Sequence, residues 1–134
     1  MLKQLSIYAE NKKGALQTMT NALYEASINI WGSVTNDGAE YGINRMVVSD
    51  PDKAKEVLTE KGYLCRFVDV LAVEIEDKPG ALNTLLTALL DSNVNVDYTY
   101  LSFNRDSSTP VMILHTADPE EVEICLRAKG FKMV

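Results

Sequence analysis

The chain has 134 residues, 46% of them hydrophobic, and a formal charge of −6 at neutral pH. That composition suits a globular core, and no stretch of it is long or apolar enough to span a membrane. The acidic balance and the scatter of the basic residues exclude nucleic acid as a main partner.

The N-terminal segment Met1-Leu2-Lys3-Gln4-Leu5-Ser6-Ile7 alternates like a strand and has no continuous apolar leader core. Leu5, Ile7 and Ala9 form its buried face. A polar loop ending in Gly14 follows, and then Ala15, Leu16, Met19, Ala22, Leu23 and Ala26 recur at helical spacing. Ile28, Ile30 and Val34 alternate with polar residues as a second strand. Asn36-Asp37-Gly38 is a hairpin signal, with residues 41–49 as the returning strand. Asp50-Pro51 starts a helix, with Asp as N-cap and Pro at the first helical position. Ala54, Val57 and Leu58 are its buried face, Gly62 ends it, and residues 63–68 form a fourth strand.

The same order then returns. Leu71, Val73 and Ile75 alternate; Ala81, Leu82, Leu85, Ala88 and Leu89 keep the helical stripe. Residues 94–103 and 110–116 flank a longer loop. Asp118-Pro119-Glu120-Glu121 opens the last helix, with a carboxylate in capping-box position, and Gly130 closes it before a final strand. At an offset of 66, Leu5 matches Leu71, Gly14 matches Gly80, Thr18 matches Thr84, Leu23 matches Leu89 and Asn29 matches Asn95. Beyond the longer loop the offset is 68, so Asp50 answers to Asp118 and Gly62 to Gly130. One small unit has been made twice.

The predicted fold is α+β: two tandem ferredoxin-like βαββαβ units, residues 1–68 and 69–134, each an antiparallel sheet with its helices on one face. Eight principal strands and four helices are expected. A unit this small has a marginal core by itself, so the copies should pack on each other or on a second chain. Tyr8, Trp31, Leu101 and Phe103 should leave apolar surface on the sheets, which favours a homodimer.

Glu76-Asp77-Lys78-Pro79-Gly80-Ala81-Leu82, followed by Asn95-Val96, resembles the signature of the ACT domain. The first copy repeats it as Glu10-Asn11-Lys12-Lys13-Gly14-Ala15-Leu16 followed by Asn29-Ile30, with fifteen residues from Gly to Asn in both. The resemblance implies a regulatory module that binds a free amino acid where two such domains meet. By position, the ligand contacts it implies are Asn11, Lys12, Lys13, Gly14, Ala15 and Leu16 with Asn29 and Ile30. In the second copy they are Asp77, Lys78, Pro79, Gly80, Ala81 and Leu82 with Asn95 and Val96. Lys13 stands where the family usually has Pro, so the first loop is the less rigid of the two. No enzyme or DNA-binding segment accompanies the modules, which implies a stand-alone pair acting on some regulated enzyme or regulator.

Each of these residues also has a plainer reading. Gly14 and Gly80 can be turn glycines; Asn29 and Asn95 can terminate the preceding helix; Asn11 and Asp77 can cap the following one. Lys12 and Lys78 either steer a carboxylate or are solvated, and Trp31 either lines a site or packs. His115 has no sequence neighbours suited to catalysis and is expected to be structural. Neither a catalytic residue, a metal site nor a cofactor is predicted. Cys65 and Cys125 have no paired spacing and read as reduced thiols of a cytoplasmic protein. Two rival functions stand beside amino-acid sensing. One is a ligand-free dimerisation module. The other is an acylphosphatase-like enzyme, which needs a loop arginine that neither loop contains.

Overall fold

The computed structural model describes residues 1–36 and 41–134, so the predicted Asn36-Asp37-Gly38 turn lies outside the described residues. The chain divides into two compact units: a first unit, Lys3–Val68, and a second, Asp69–Val134 together with Met1–Leu2.

In the first unit, β1 (Leu2–Glu10), α1 (Ala15–Glu25), β2 (Ile30–Asn36), β3 (Tyr41–Val48), α2 (Pro51–Glu60) and the start of β4 (Leu64–Glu74) follow in chain order. The sheet order is β2-β3-β1-β4. β1 pairs antiparallel with β3 (Leu5 opposite Met46, Ile7 opposite Asn44), and β3 with β2 (Ser33 opposite Met46, Thr35 opposite Asn44). The second unit continues with the end of β4, then α3 (Ala81–Asp91), β5 (Tyr98–Phe103), β6 (Pro110–His115), α4 (Pro119–Ala128) and β7 (Lys132–Met133). Its pairs are β7 with β4, β4 with β6, and β6 with β5, all antiparallel. Read by repeat position, both units have the strand order four-one-three-two, the split arrangement expected of βαββαβ.

Seven strands are seen among the described residues rather than eight. The predicted strands at 63–68 and 71–75 are one element, β4. Nothing between Arg66 and Val73 breaks an extended chain, for no Gly or Pro occurs there.

Each unit has its own core. Leu5, Ile7, Met19, Leu23, Met46 and Leu58 fill the first; Leu71, Val73, Leu85, Leu89, Leu114 and Leu126 fill the second. Leu16 and Leu82, the first leucines of the two helical stripes, are 47% and 38% exposed. Both lie in the first helical turn next to the loop, away from the core-facing residues further along.

All four helices close in the same way, with a left-handed residue and a backbone bond spanning five residues. Ser27, Gly62, Asn93 and Gly130 have positive φ. The amides of Ile28, Tyr63, Val94 and Phe131 then donate to Leu23, Leu58, Leu89 and Leu126, at 2.9 to 3.0 Å. Terminating α1 and α3 therefore falls to Ser27 and Asn93, not to Asn29 and Asn95. The bend also delays the next strand, so β5 starts at Tyr98 rather than at 94.

At the helix starts the two Asp-Pro pairs behave differently. The Asp50 carboxylate accepts the Lys53 amide at 3.2 Å. Asp118 makes no such side-chain bond, and the start of α4 carries Glu120 and Glu121 in its first turn instead. Asp50→Ala should therefore cost about 1 kcal/mol of stability, and Asp118→Ala less than half as much. Urea denaturation of the two variants measures the difference.

Candidate functional site

The two strand-to-helix loops fold alike. Gly14 and Gly80 stand at the N-cap positions of α1 and α3 with φ of 84° and 86°. That left-handed conformation is open to Gly and strained for other residues. An added β-carbon would meet nothing within 4 Å at either position. The glycine is required by backbone conformation, and no neighbouring atom crowds it.

The bonds around it are duplicated too. The Ala15 and Ala81 amides donate to the carbonyls of Lys12 and Lys78 at 3.2 Å, closing the turn. Those two amides are thus not open to a ligand, whereas the sequence reading placed them in the cradle. Thr18 and Thr84 each donate an amide (2.9 Å) and a hydroxyl (3.0 Å) to the glycine carbonyl. This explains why Thr recurs at the repeat offset. Neither helix has an acidic residue in its first turn, in contrast to α2 and α4, and neither has the side-chain N-cap bond that α2 has. The N-cap positions are held by Gly14 and Gly80, not by Asn11 or Asp77. Among the described residues the amides of Leu16 and Gln17, and of Leu82 and Asn83, have no acceptor, as expected of a first helical turn.

The loop lysines are held by their own loops. Lys12 Nζ lies 3.0 Å from Glu10, and Lys78 Nζ 2.6 Å from Glu76, all four side chains being largely exposed. Their steering of a carboxylate is correspondingly weakened.

A cleft lies beside each loop, about 560 Å³ in the first unit and 390 Å³ in the second. The two match position by position. Glu10, Lys12, Ala15, Thr18 and Gly62 line one; Glu76, Lys78, Ala81, Thr84 and Gly130 line the other, with Tyr63 and Phe131 as the shared aromatic wall. Their floors differ. The first has Tyr8 and Leu64; the second has Glu74, bonded to Lys132 at 3.2 Å and to Asn104 at 3.4 Å. The aromatic wall was legible as the residue after each helix-closing glycine, although no role was assigned to it. The first loop borders another cleft of about 300 Å³, lined by Asn11, Leu16, Gln17, Thr35, Asn36 and Asn44 among others.

Asn29 and Asn95 line none of these loop clefts. An eleven-residue helix, about 16 Å long, separates each from the loop of its own unit. Asn29 exchanges backbone bonds with Ser49, its amide donating to the hydroxyl and its carbonyl accepting the amide, both 2.9 Å. Asn95 donates to Asp97 at 3.1 Å. Ile30 and Val96 pack against the cores. Lys13, Asp77, Pro79 and Leu82 are exposed, and Trp31 is half-buried at the β2 bulge.

His115, expected to be structural, is held on both its edge and its face. Its Nδ1 lies 2.8 Å from Asp97, and its ring stacks on Tyr98 at 4.9 Å and 3°. No cluster of His, Cys, Asp and Glu able to hold a metal occurs among the described residues. Cys65 and Cys125 are free, and burial pushes the Cys65 thiol up from its ordinary value, with Lys55 opposing.

Each half of the chain is thus a ferredoxin-like unit with a glycine-started helix and a cleft beside its loop. The sequence profile of the ACT domain pair matches residues 1–133, and the chain belongs to that family. No curated protein matches it. Among solved structures it is similar to protein BT0572 from Bacteroides thetaiotaomicron, at 30% identity and a TM-score of 0.90, over 99% of this chain and 91% of that one. It also shares its fold with the ligand-free regulatory subunit of aspartate kinase from Thermus thermophilus (16% identity, TM-score 0.67, 96% and 90% covered). The corresponding subunit from Thermus flavus gives 19% identity and a TM-score of 0.62, over 96% and 91%.

Since nothing crowds the two N-cap glycines, Gly14→Ala and Gly80→Ala should each cost about 1 to 2 kcal/mol through backbone strain alone. Gly→Asn at the same positions should cost less, because Asn tolerates the left-handed region better. Chemical denaturation of the four variants tests this ordering.

Proposed function

We propose that the chain is a non-catalytic regulator that binds a free amino acid at its strand-to-helix loops. The observation that carries this reading is the bare start of α1 and α3. Two helices present unbonded first-turn amides with no acidic residue within that turn, next to clefts built twice from the same positions. A ligand carboxylate would accept from the Leu16 and Gln17 amides, or from Leu82 and Asn83, in the favourable field of the helix dipole. The exposed Asp77 carboxylate or the Asn11 side chain would receive the ammonium. Asn29 or Asn95 would complete the site from another ACT unit, in this chain or in a second copy. A homodimer in the cytoplasm is part of the same proposal, and the free thiols Cys65 and Cys125 agree with a reducing compartment.

The two Thermus structures are regulatory subunits of aspartate kinase. By that likeness the proposed output is control of a partner enzyme, with the ligand favouring one arrangement of units over another. A ligand-free dimerisation module is the second reading. It is favoured by the stripe Leu82, Leu86 and Leu90 on α3, spaced by four and exposed.

A screen of the twenty amino acids by thermal shift separates the two. A ligand at a hundred times its Kd stabilises by about 2.7 kcal/mol, a rise of several degrees for a chain of this size. Gln17→Glu and Asn83→Asp place a carboxylate in each first turn. Each should raise the unliganded stability by about 0.3 to 1 kcal/mol and yet shrink the ligand-induced shift. A dimerisation module would show the first effect and no shift to shrink.

A further inference from the structure

The two units also differ at a buried polar position beside the loop. Asn44 of β3 is only 4% exposed, yet it lines the 300 Å³ cleft next to α1. Its side chain donates to the Thr35 hydroxyl at 2.7 Å and accepts from the Ser33 hydroxyl at 3.3 Å. In the second unit the cross-strand pair Thr35–Asn44 is replaced by Leu101–Met112 at the same register, and Met112 is part of the core. The fold therefore accepts an apolar residue at this position. Burying an amide there instead costs stability unless its bonds are made. A carboxamide has two N–H donors and two acceptor lone pairs. Thr35 and Ser33 take one of each. Among the described residues one donor and one lone pair remain uncommitted, side by side, on a residue lining the cleft.

Resting on the amino-acid reading above, we propose that this cleft of the first unit is the selective one, and that Asn44 reads the ligand's side chain. The group it fits must both accept and donate, as a hydroxyl or a carboxamide does. Leu16 and Gln17, whose amides have no acceptor among the described residues, line the same cleft, so one small ligand held there can present its carboxylate to the helix start and its side chain to Asn44. The cleft therefore takes a free amino acid with an uncharged polar side chain and discriminates against aliphatic and aromatic ones. A site that bonds a polar group rejects analogues lacking it more strongly than an apolar site rejects an extra hydroxyl.

The experiment is calorimetric titration of the full chain with L-serine, L-threonine, L-asparagine, L-glutamine, L-leucine and L-phenylalanine. The wild type should prefer one of the first four. Asn44→Met, which copies the residue of the second unit, should lower that affinity about tenfold or more while circular dichroism shows the fold intact. If Asn44→Met does not fold, Thr35→Val provides the same test, removing the hydroxyl that holds the amide in place, with a smaller loss in the same direction. Binding of a polar amino acid unchanged by either variant overturns the assignment to Asn44 and leaves the amino-acid reading standing. A wild-type preference for leucine or phenylalanine overturns it likewise. No binding of any of the twenty amino acids overturns both.

Discussion

The left-handed turn at Gly14 and at Gly80 is the constraint on which the rest of each unit depends. It converts an outgoing strand into a helix within a few residues, and so sets where that helix lies over the sheet. Only then do Met19 and Leu23, or Leu85 and Leu89, reach the core. The same glycine occupies the N-cap, where a Ser or Asp would otherwise bond the first amides. The threonine one turn later binds the glycine carbonyl with both its amide and its hydroxyl, fixing the turn from the helix side. What results is a well-defined helix start in which the amides of Leu16 and Gln17, and of Leu82 and Asn83, are not consumed by the described residues.

Much of this was legible in the sequence, because the duplication made each signal appear twice. Gly14 and Gly80, the stripes of the two apolar helices and the Asp-Pro starts gave the element order and the βαββαβ reading. The errors came where local patterns were asked for three-dimensional information. Apolar periodicity put Leu16 and Leu82 on the same stripe as the core residues, but periodicity does not say where a helix stops being backed by the sheet, and both are exposed. Residues 63–75 read as two strands because the repeat boundary falls there, while the backbone itself has no reason to break. Asn29 and Asn95 were credited with a possible capping role that Ser27 and Asn93 perform, since left-handed closure by Ser is a weak sequence signal.

The candidate site was less legible than the fold. Loop residues could be named from the motif, but their hydrogen bonds could not. The amides of Ala15 and Ala81 turn out to be used within the turn, and the lysines are paired with glutamates two residues back. The walls of the clefts come from residues distant in sequence, Tyr63 and Phe131 after the second helix of each unit and Thr35 and Asn44 on the hairpin strands. Nothing in a one-dimensional pattern brings those to the loop. Asn44 was visible only as a polar residue in an apolar strand, a signal with many ordinary explanations.

The bare helix starts have an energetic consequence. An uncapped first turn forgoes about 1 kcal/mol that a Ser or Asp would supply, and it does so in two helices of a chain whose units are each small enough to have a limited core. The helices that bear this cost, α1 and α3, both begin at a loop cleft. α2 and α4 carry Asp52, Glu120 and Glu121 in their first turns, and α2 has a bonded Asp cap as well. Under the proposed function an anion bound at these two starts would recover that stability, because a ligand that binds only the folded state stabilises that state. The uncapped start is repeated in both units while the cleft floors are not, so the repeat fixes the backbone turn and leaves the side chains of the floor free to differ.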